Sequence, residues 1–289
     1  FRRVLFRSLC YLRYARLQGN WQKLPTERAN AWLKETRPEF LHFSELLGAH
    51  LHAVDEMHIR RHYQPRAVLR QLLQQETTDA VIRDLQALCG LLRDHQLELT
   101  HFGVTGSLLV GMQNRASDID LVCYDRDTFH RARHTVQALI AQNRCQTLSQ
   151  EDWLEAYQRR ACDFALDEYI WHEQRKYNKG MIHQRKFDLS LLTDSAEPDP
   201  PRSYQKLGCV RLELDVVEDH LGFDYPAEWA VRHPEISSVV AFTATYTGQA
   251  KAGERILVAG QLEVDDRGLQ RVVVGSSREA PGEFIQVLR

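Results

Sequence analysis

Three acidic residues and one glycine–serine pair are the positions whose types and spacing suit chemistry. Gly106-Ser107 is followed, ten residues later, by Asp118-Ile119-Asp120-Leu121, and a third acid, Asp188, stands in the apolar run 186–192. Strand alternation turns Asp118 and Asp120 to one face and Ile119 to the core. Two carboxylates about 7 Å apart along a strand are spaced to share a pair of divalent cations. An oxygen-only donor set suits Mg²⁺ or Mn²⁺, which keep waters and take further ligands from substrate phosphates. A glycine between a strand and a helix start lets the backbone approach a phosphate. Ser107 adds a hydroxyl and an N–H at the positive end of that helix. Asp188 is expensive to bury in an apolar strand without a partner. A metal, or the proton of an attacking hydroxyl, would supply one. An antiparallel strand beside residues 119–124 is the expected way to bring Asp188 to the same rim.

The elements that must position these residues follow from periodicity. Pro65 suits a first helical turn, and Val68, Leu69, Leu72 and Leu73 repeat at helical spacing. A second helix is predicted over 78–95, with Val81, Ile82, Leu85, Leu88, Leu91 and Leu92 on its apolar face. Residues 97–104 read as a strand, 108–112 as a short helical stretch, and 113–117 as a polar turn in which Asn114, Arg115 and Ser117 shape the phosphate loop. Residues 119–124 read as a buried strand, 127–142 and 150–160 as helices with Ser149 as a cap, and 186–192 as a third strand. Farther upstream, 9–17 reads as one strand, a helix follows from Thr26 to Lys34, and His42 to His62 reads as a solvated histidine-rich connector.

Glu197-Pro198-Asp199-Pro200-Pro201 is the clearest linker in the sequence. After it, short alternating runs separated by turns such as Lys251-Ala252-Gly253-Glu254 predict a small antiparallel β-domain, barrel or sandwich. The expected organisation is α+β: a truncated α/β segment over 9–64, a catalytic domain over 65–196, and the β-domain over 202–289. The first eight residues resemble a sequencing-adapter oligonucleotide read in one frame, and are set aside from fold reasoning.

Composition narrows the partners. The chain has 289 residues and a formal net charge of −2, so no global pull toward nucleic acid or membrane follows. Any phosphate site must be a local patch. The six cysteines are scattered without a Cys-x-x-Cys pair, which argues against a zinc site or a disulfide framework. No apolar run approaches the length of a membrane span and no signal peptide is visible, so a cytoplasmic protein is expected.

An Asp-x-Asp pair alone is common at strand edges, and Gly-Ser alone is an ordinary turn. Their combination is more specific. The stretch Gly103-Val104-Thr105-Gly106-Ser107-Leu108-Leu109-Val110-Gly111, with Ser117-Asp118-Ile119-Asp120-Leu121, resembles the signature of the DNA polymerase β-like nucleotidyltransferase superfamily over roughly residues 97–125. Asp188 resembles its third carboxylate by context. The whole chain is similar to a group of predicted nucleotidyltransferases of archaea and some bacteria, through Tyr11-Leu12-Arg13-Tyr14, Arg61-His62-Tyr63-x-Pro65 and His172-Glu173-x-Arg175-Lys176-Tyr177-Asn178. The resemblance implies a mixed sheet with flanking helices. It implies that Asp118 and Asp120 hold two metals on a nucleoside triphosphate. Asp188 would serve the attacking hydroxyl, Ser107 would contact the β- and γ-phosphates, and pyrophosphate would leave.

Arg175, Lys176 and Lys179 precede the Asp188 run. They read either as a clamp on the triphosphate or as a solvated helix face. The acceptor hydroxyl is open between RNA, a protein side chain and a small molecule. A non-catalytic nucleotide- or RNA-binding regulator is the competing reading, and the β-domain is also a candidate for pairing two copies into a homodimer.

Overall fold

The computed structural model describes residues 7–44, 49–160, 162–193, 203–276 and 280–289. The proline-rich linker and the first six residues of the adapter-like octapeptide lie outside them. The chain is a mixed α+β protein that divides into two compact units, Phe1–His62 and Tyr63–Arg289.

In the first unit, β1 (Arg7–Cys10) pairs antiparallel with β5 (Ala49–Asp55), and β5 with β4 (Leu41–Ser44). A hairpin of β2 (Tyr14–Leu17) and β3 (Asn20–Lys23) precedes α1 (Thr26–Thr36). The single strand expected over 9–17 is therefore two strands in two sheets, parted at 11–13. The histidine-rich stretch is not simply a solvated connector, because β4 and β5 run through it. His52 is buried, its Nδ1 accepting the Leu12 N–H at 2.8 Å and its Nε2 lying 2.7 Å from Asn30 Oδ1.

The second unit opens with α2 (Pro65–Gln74) and α3 (Ala80–Asp94), whose Asp79 cap accepts the Val81 N–H. There follow β6 (Phe102–Val104), the one-turn α4 (Gly106–Leu109), β7 (Ile119–Cys123), α5 (Arg126–Ala141), α6 (Gln150–Arg160), α7 (Leu166–Gln174), β8 (Lys179–Ile182) and β9 (Arg185–Leu191). Ser149 caps α6: its Oγ accepts the Asp152 N–H while Asp152 accepts the Ser149 N–H. The sheet order is β6-β7-β9-β8. Ile119, Leu121, Phe187 and Leu189 face a core shared with Leu85 and Leu92 of α3 and Phe129, Val136 and Leu139 of α5. That face buries the apolar half of each strand and leaves the opposite face for the acids.

The β7–β9 pairing is parallel, not antiparallel as expected. The chain between them is long enough to cross over through α5, α6 and α7, which a parallel pair requires. It returns through β8 and a two-residue turn, His183-Gln184, both at positive φ. Asp84 of α3 holds this hairpin, receiving Arg185 Nε at 2.7 Å and lying 2.9 Å from His183 Nδ1. The sequence reading missed β8 because Lys179-Gly180-Met181-Ile182 is short and carries little alternation.

The C-terminal strands are β10 (Tyr204–Glu218), β11 (Ala227–Arg232), β12 (Ile236–Ala241), β13 (Arg255–Asp265), β14 (Gln270–Val274) and β15 (Phe284–Val287). β10 pairs with β11, β11 with β12, β12 with β14, β14 with β13, and β13 with β10, so the pairings return to their start. β15 adds to β13. The β12–β14 pair is parallel, which corrects the wholly antiparallel expectation. The chain reverses into β13 and again into β14, so β14 recovers the direction of β12. Trp229 fills the interior, its Nε1–H donating to the Ala250 carbonyl at 3.0 Å. Trp153, Phe164 and Tyr169 from α6, α7 and their connection share this core with Leu214, Val258 and Ile285.

Candidate active site

The parallel register sets Asp120 directly opposite Asp188. Neighbouring strands lie about 4.8 Å apart, so the two acids stand side by side on the face turned away from the main core. β8 extends the same row, with Lys179 opposite Asp188. Asp118 precedes β7 by one residue and is exposed. Extending the register puts it beside Lys186, whose ammonium pairs with Asp152 at 3.1 Å and feels the Asp118 charge.

Gly106 begins α4 at φ +62, and two features favour glycine there. The conformation is left-handed, and a Cβ there would stand 2.1 Å from Asp120 Oδ2. Thr105 N–H donates to the Asp120 carbonyl at 2.8 Å, fixing the turn against the strand. Ser107 is half-buried in the single turn of α4, and its carbonyl accepts the Met112 N–H. Gly103 gives close packing on the same sheet edge, where a Cβ would meet Pro65 at 2.7 Å.

The polar turn is built as a closed device. Ser117 Oγ accepts the Asn114 N–H at 3.0 Å, and Asn114 Oδ1 accepts the Ala116 N–H at 2.9 Å. Arg185 donates to the carbonyls of Arg115 and Ser117 while holding Asp84, which ties the turn to α3 and β9. Ser117 thus spends its hydroxyl on the loop.

Of the three basic residues, only Lys179 lies in the carboxylate row. Its ammonium pairs with Glu173. Lys176 is 2% exposed and donates to Glu173 and to the Thr245 carbonyl. It serves the interior, so neither a solvated face nor a phosphate clamp describes it. Arg175 pairs with Glu254 and stacks 4.4 Å over Trp171. The sequence could not show that Glu254 claims Arg175, because it lies far along the chain in the turn before β13.

Burial pushes the Asp188 carboxyl up, Lys179 pulls against it, and Glu173 and Asp120 add to the rise, leaving it at about 6. Asn178 Nδ2 approaches Asp188 Oδ1 at 3.4 Å and the Leu189 carbonyl at 3.2 Å. Sequence reading noted Asn178 and Glu173 only within the longer motif. Their polar character next to an apolar run was the available signal.

Among the described residues, no three His, Cys, Asp or Glu side chains close around one point as a metal cluster. Asp118, Asp120 and Asp188 share a face without converging. The donor chemistry still fits a hard divalent cation: the set is oxygen-only, and adjacent acids raise one another's proton affinity, which a cation relieves.

An archaeal protein, the uncharacterized protein MJ1086 of Methanocaldococcus jannaschii, is 32% identical over 274 residues, covering 90% of this chain and 81% of the relative. The chain belongs to the same family as that protein. No protein-family model matches the chain, and no solved structure matches it significantly.

Proposed function

We propose that the chain is a metal-dependent nucleotidyltransferase of the polymerase β-like kind, moving a nucleoside monophosphate from a nucleoside triphosphate to an acceptor hydroxyl and releasing pyrophosphate. The observation that carries this reading is the Asp120–Asp188 register pair with Gly106 seated against Asp120. Asp118 and Asp120 would hold Mg²⁺ or Mn²⁺, with Asp188 beside them. The cations would supply charge neutralisation on the triphosphate. Asp188, raised toward neutrality, would take the acceptor proton. Gly106 and Ser107 offer backbone and hydroxyl donors where the phosphates would lie. Lys179 adds positive charge next to Asp188.

The test is a screen of the four nucleoside triphosphates with Mg²⁺ or Mn²⁺, reading pyrophosphate and label on RNA, on the protein itself or on small hydroxyl compounds. Asp118→Ala and Asp120→Ala are each expected to reduce release at least about 100-fold. Release that survives both substitutions unchanged would sink the assignment.

The strand circuit β10-β11-β12-β14-β13 supports a second reading. Five strands paired in a closed round suit an oligonucleotide-binding barrel. On that reading the chain binds RNA without turnover, and RNA affinity falls steeply with salt while no pyrophosphate appears.

A further inference from the structure

A cavity of about 590 Å³ opens between α5 and the loops that follow β10 and β12, and none of Asp118, Asp120, Lys179 or Asp188 lines it. Arg133 of α5 lines it and is only 8% exposed. Its Nε donates to the Lys176 carbonyl at 2.6 Å, its Nη1 lies 3.0 Å from His130 Nδ1, and its guanidinium lies 3.8 Å over the Phe223 ring. Among the described residues, no carboxylate comes within ion-pair distance of it. Several other buried or half-buried cations of this unit do have a counter-charge: Lys176 with Glu173, Arg175 with Glu254, Arg126 with Asp224 and Arg271 with Glu263. A buried charge without a counter-charge is costly, and Arg133 carries that cost.

The walls around it add to the imbalance. His134, Lys251 and His220 line the cavity with it. Burial lowers His130, and the positive fields of Arg133, His134 and His220 lower it further against Asp219. Two acids, Glu218 and Asp219, also line the cavity. Glu218 is exposed, and Asp219 acts on Arg133 only at a distance.

We propose that this cleft is a binding site for a phosphate ester carrying sugar hydroxyls, with Arg133, His134 and Lys251 on the phosphate and Asp219 accepting from a hydroxyl. A buried guanidinium fork with a lysine and histidine donors beside it suits a multiply charged phosphate better than a single carboxylate. The volume exceeds what one inorganic phosphate fills and falls in the range of small-molecule pockets. Tyr177 contributes an aromatic wall. A phosphate-binding end together with Asp219 as a hydroxyl acceptor fits a nucleotide, either free or within an RNA strand. The site stands independently of the Asp120–Asp188 assignment.

The experiment measures binding of 5′-AMP by equilibrium dialysis and of a fluorescent oligoadenylate by anisotropy, using the full chain in EDTA. Without divalent cation the carboxylate row holds no metal-bound phosphate. Arg133→Gln is expected to weaken binding about tenfold, and His134→Gln and Lys251→Gln several-fold each. The last two alter exposed side chains, so they report even where Arg133→Gln fails to fold. Weakened AMP binding identifies a free nucleotide as the ligand, and weakened oligoadenylate binding identifies a strand. Absence of binding to both probes, or binding at wild-type strength in His134→Gln and Lys251→Gln, overturns the proposal.

Discussion

Gly106 and Asp188 show how single residues set the terms of the candidate site. The Asp120 carboxylate occupies the space where any other residue at 106 would put its Cβ. Gly106→Ala should therefore displace Asp120, cost about 1 kcal/mol from the left-handed backbone, and abolish pyrophosphate release. A thermal melt beside the release assay checks this. Retention of activity would show that the turn tolerates a Cβ. Asp188 carries the opposite balance. Its carboxyl sits at about 6, above the ordinary 3.8, so the folded state holds the proton more tightly than the unfolded state. Stability is then fully present below the ordinary value and falls as pH rises through about 6. Asp188→Asn should raise the melting temperature of metal-free protein at pH 7.5, by more than at pH 5, while eliminating transfer. A gain of equal size at both pH values would contradict the assigned ionisation.

At the scale of elements, α7 and β8 are joined by one buried acid. Glu173 is pushed up by burial, but Lys176 and Lys179 outweigh that and hold it near 2. Its folded value lies below the ordinary 4.5, so its contribution is present above that value and is lost as pH falls toward 2. Glu173→Gln leaves Lys176 buried against a neutral amide. It should destabilise the protein by about 3–5 kcal/mol at pH 7, with the difference from wild type narrowing as pH drops below 4.5. Denaturant unfolding at two pH values measures this. The same acid sets the place of Lys179 opposite Asp188, so the loss should also impair transfer. The β8–β9 hairpin contributes differently. Its turn residues His183 and Gln184 adopt left-handed backbone without glycine, and Asp84 of α3 grips both ends. That grip aligns β9 in the register on which the carboxylate pair depends.

At the scale of the whole molecule, the helices that precede the proline-rich linker share a hydrophobic core with the strands that follow it. Trp153, Phe164 and Tyr169 pack with Leu214, Val258 and Ile285, and His172 Nε2 accepts the Val287 N–H at 3.1 Å. The expected catalytic and β-domains accordingly fall within one compact unit, Tyr63–Arg289. This is why Arg175 and Lys176, read in sequence beside Asp188, are instead spent on Glu254 and on the Thr245 carbonyl. Among the described residues, no helix is long and apolar enough to cross a membrane.

Local order was legible in the residues themselves. Helical spacing of apolar residues located α2 and α3, Ser149 marked the start of α6, and the alternation of Asp118-Ile119-Asp120 placed Ile119 inward and the acids outward. Those features depend on neighbours a few residues apart, whose geometry the backbone repeat dictates. Which strand lies beside which, and in which direction, depends instead on how a long crossover packs. Only the tertiary structure therefore made β7 and β9 parallel, set Asp188 against Asp120, and decided which lysine stays at the rim and which is consumed by the interior.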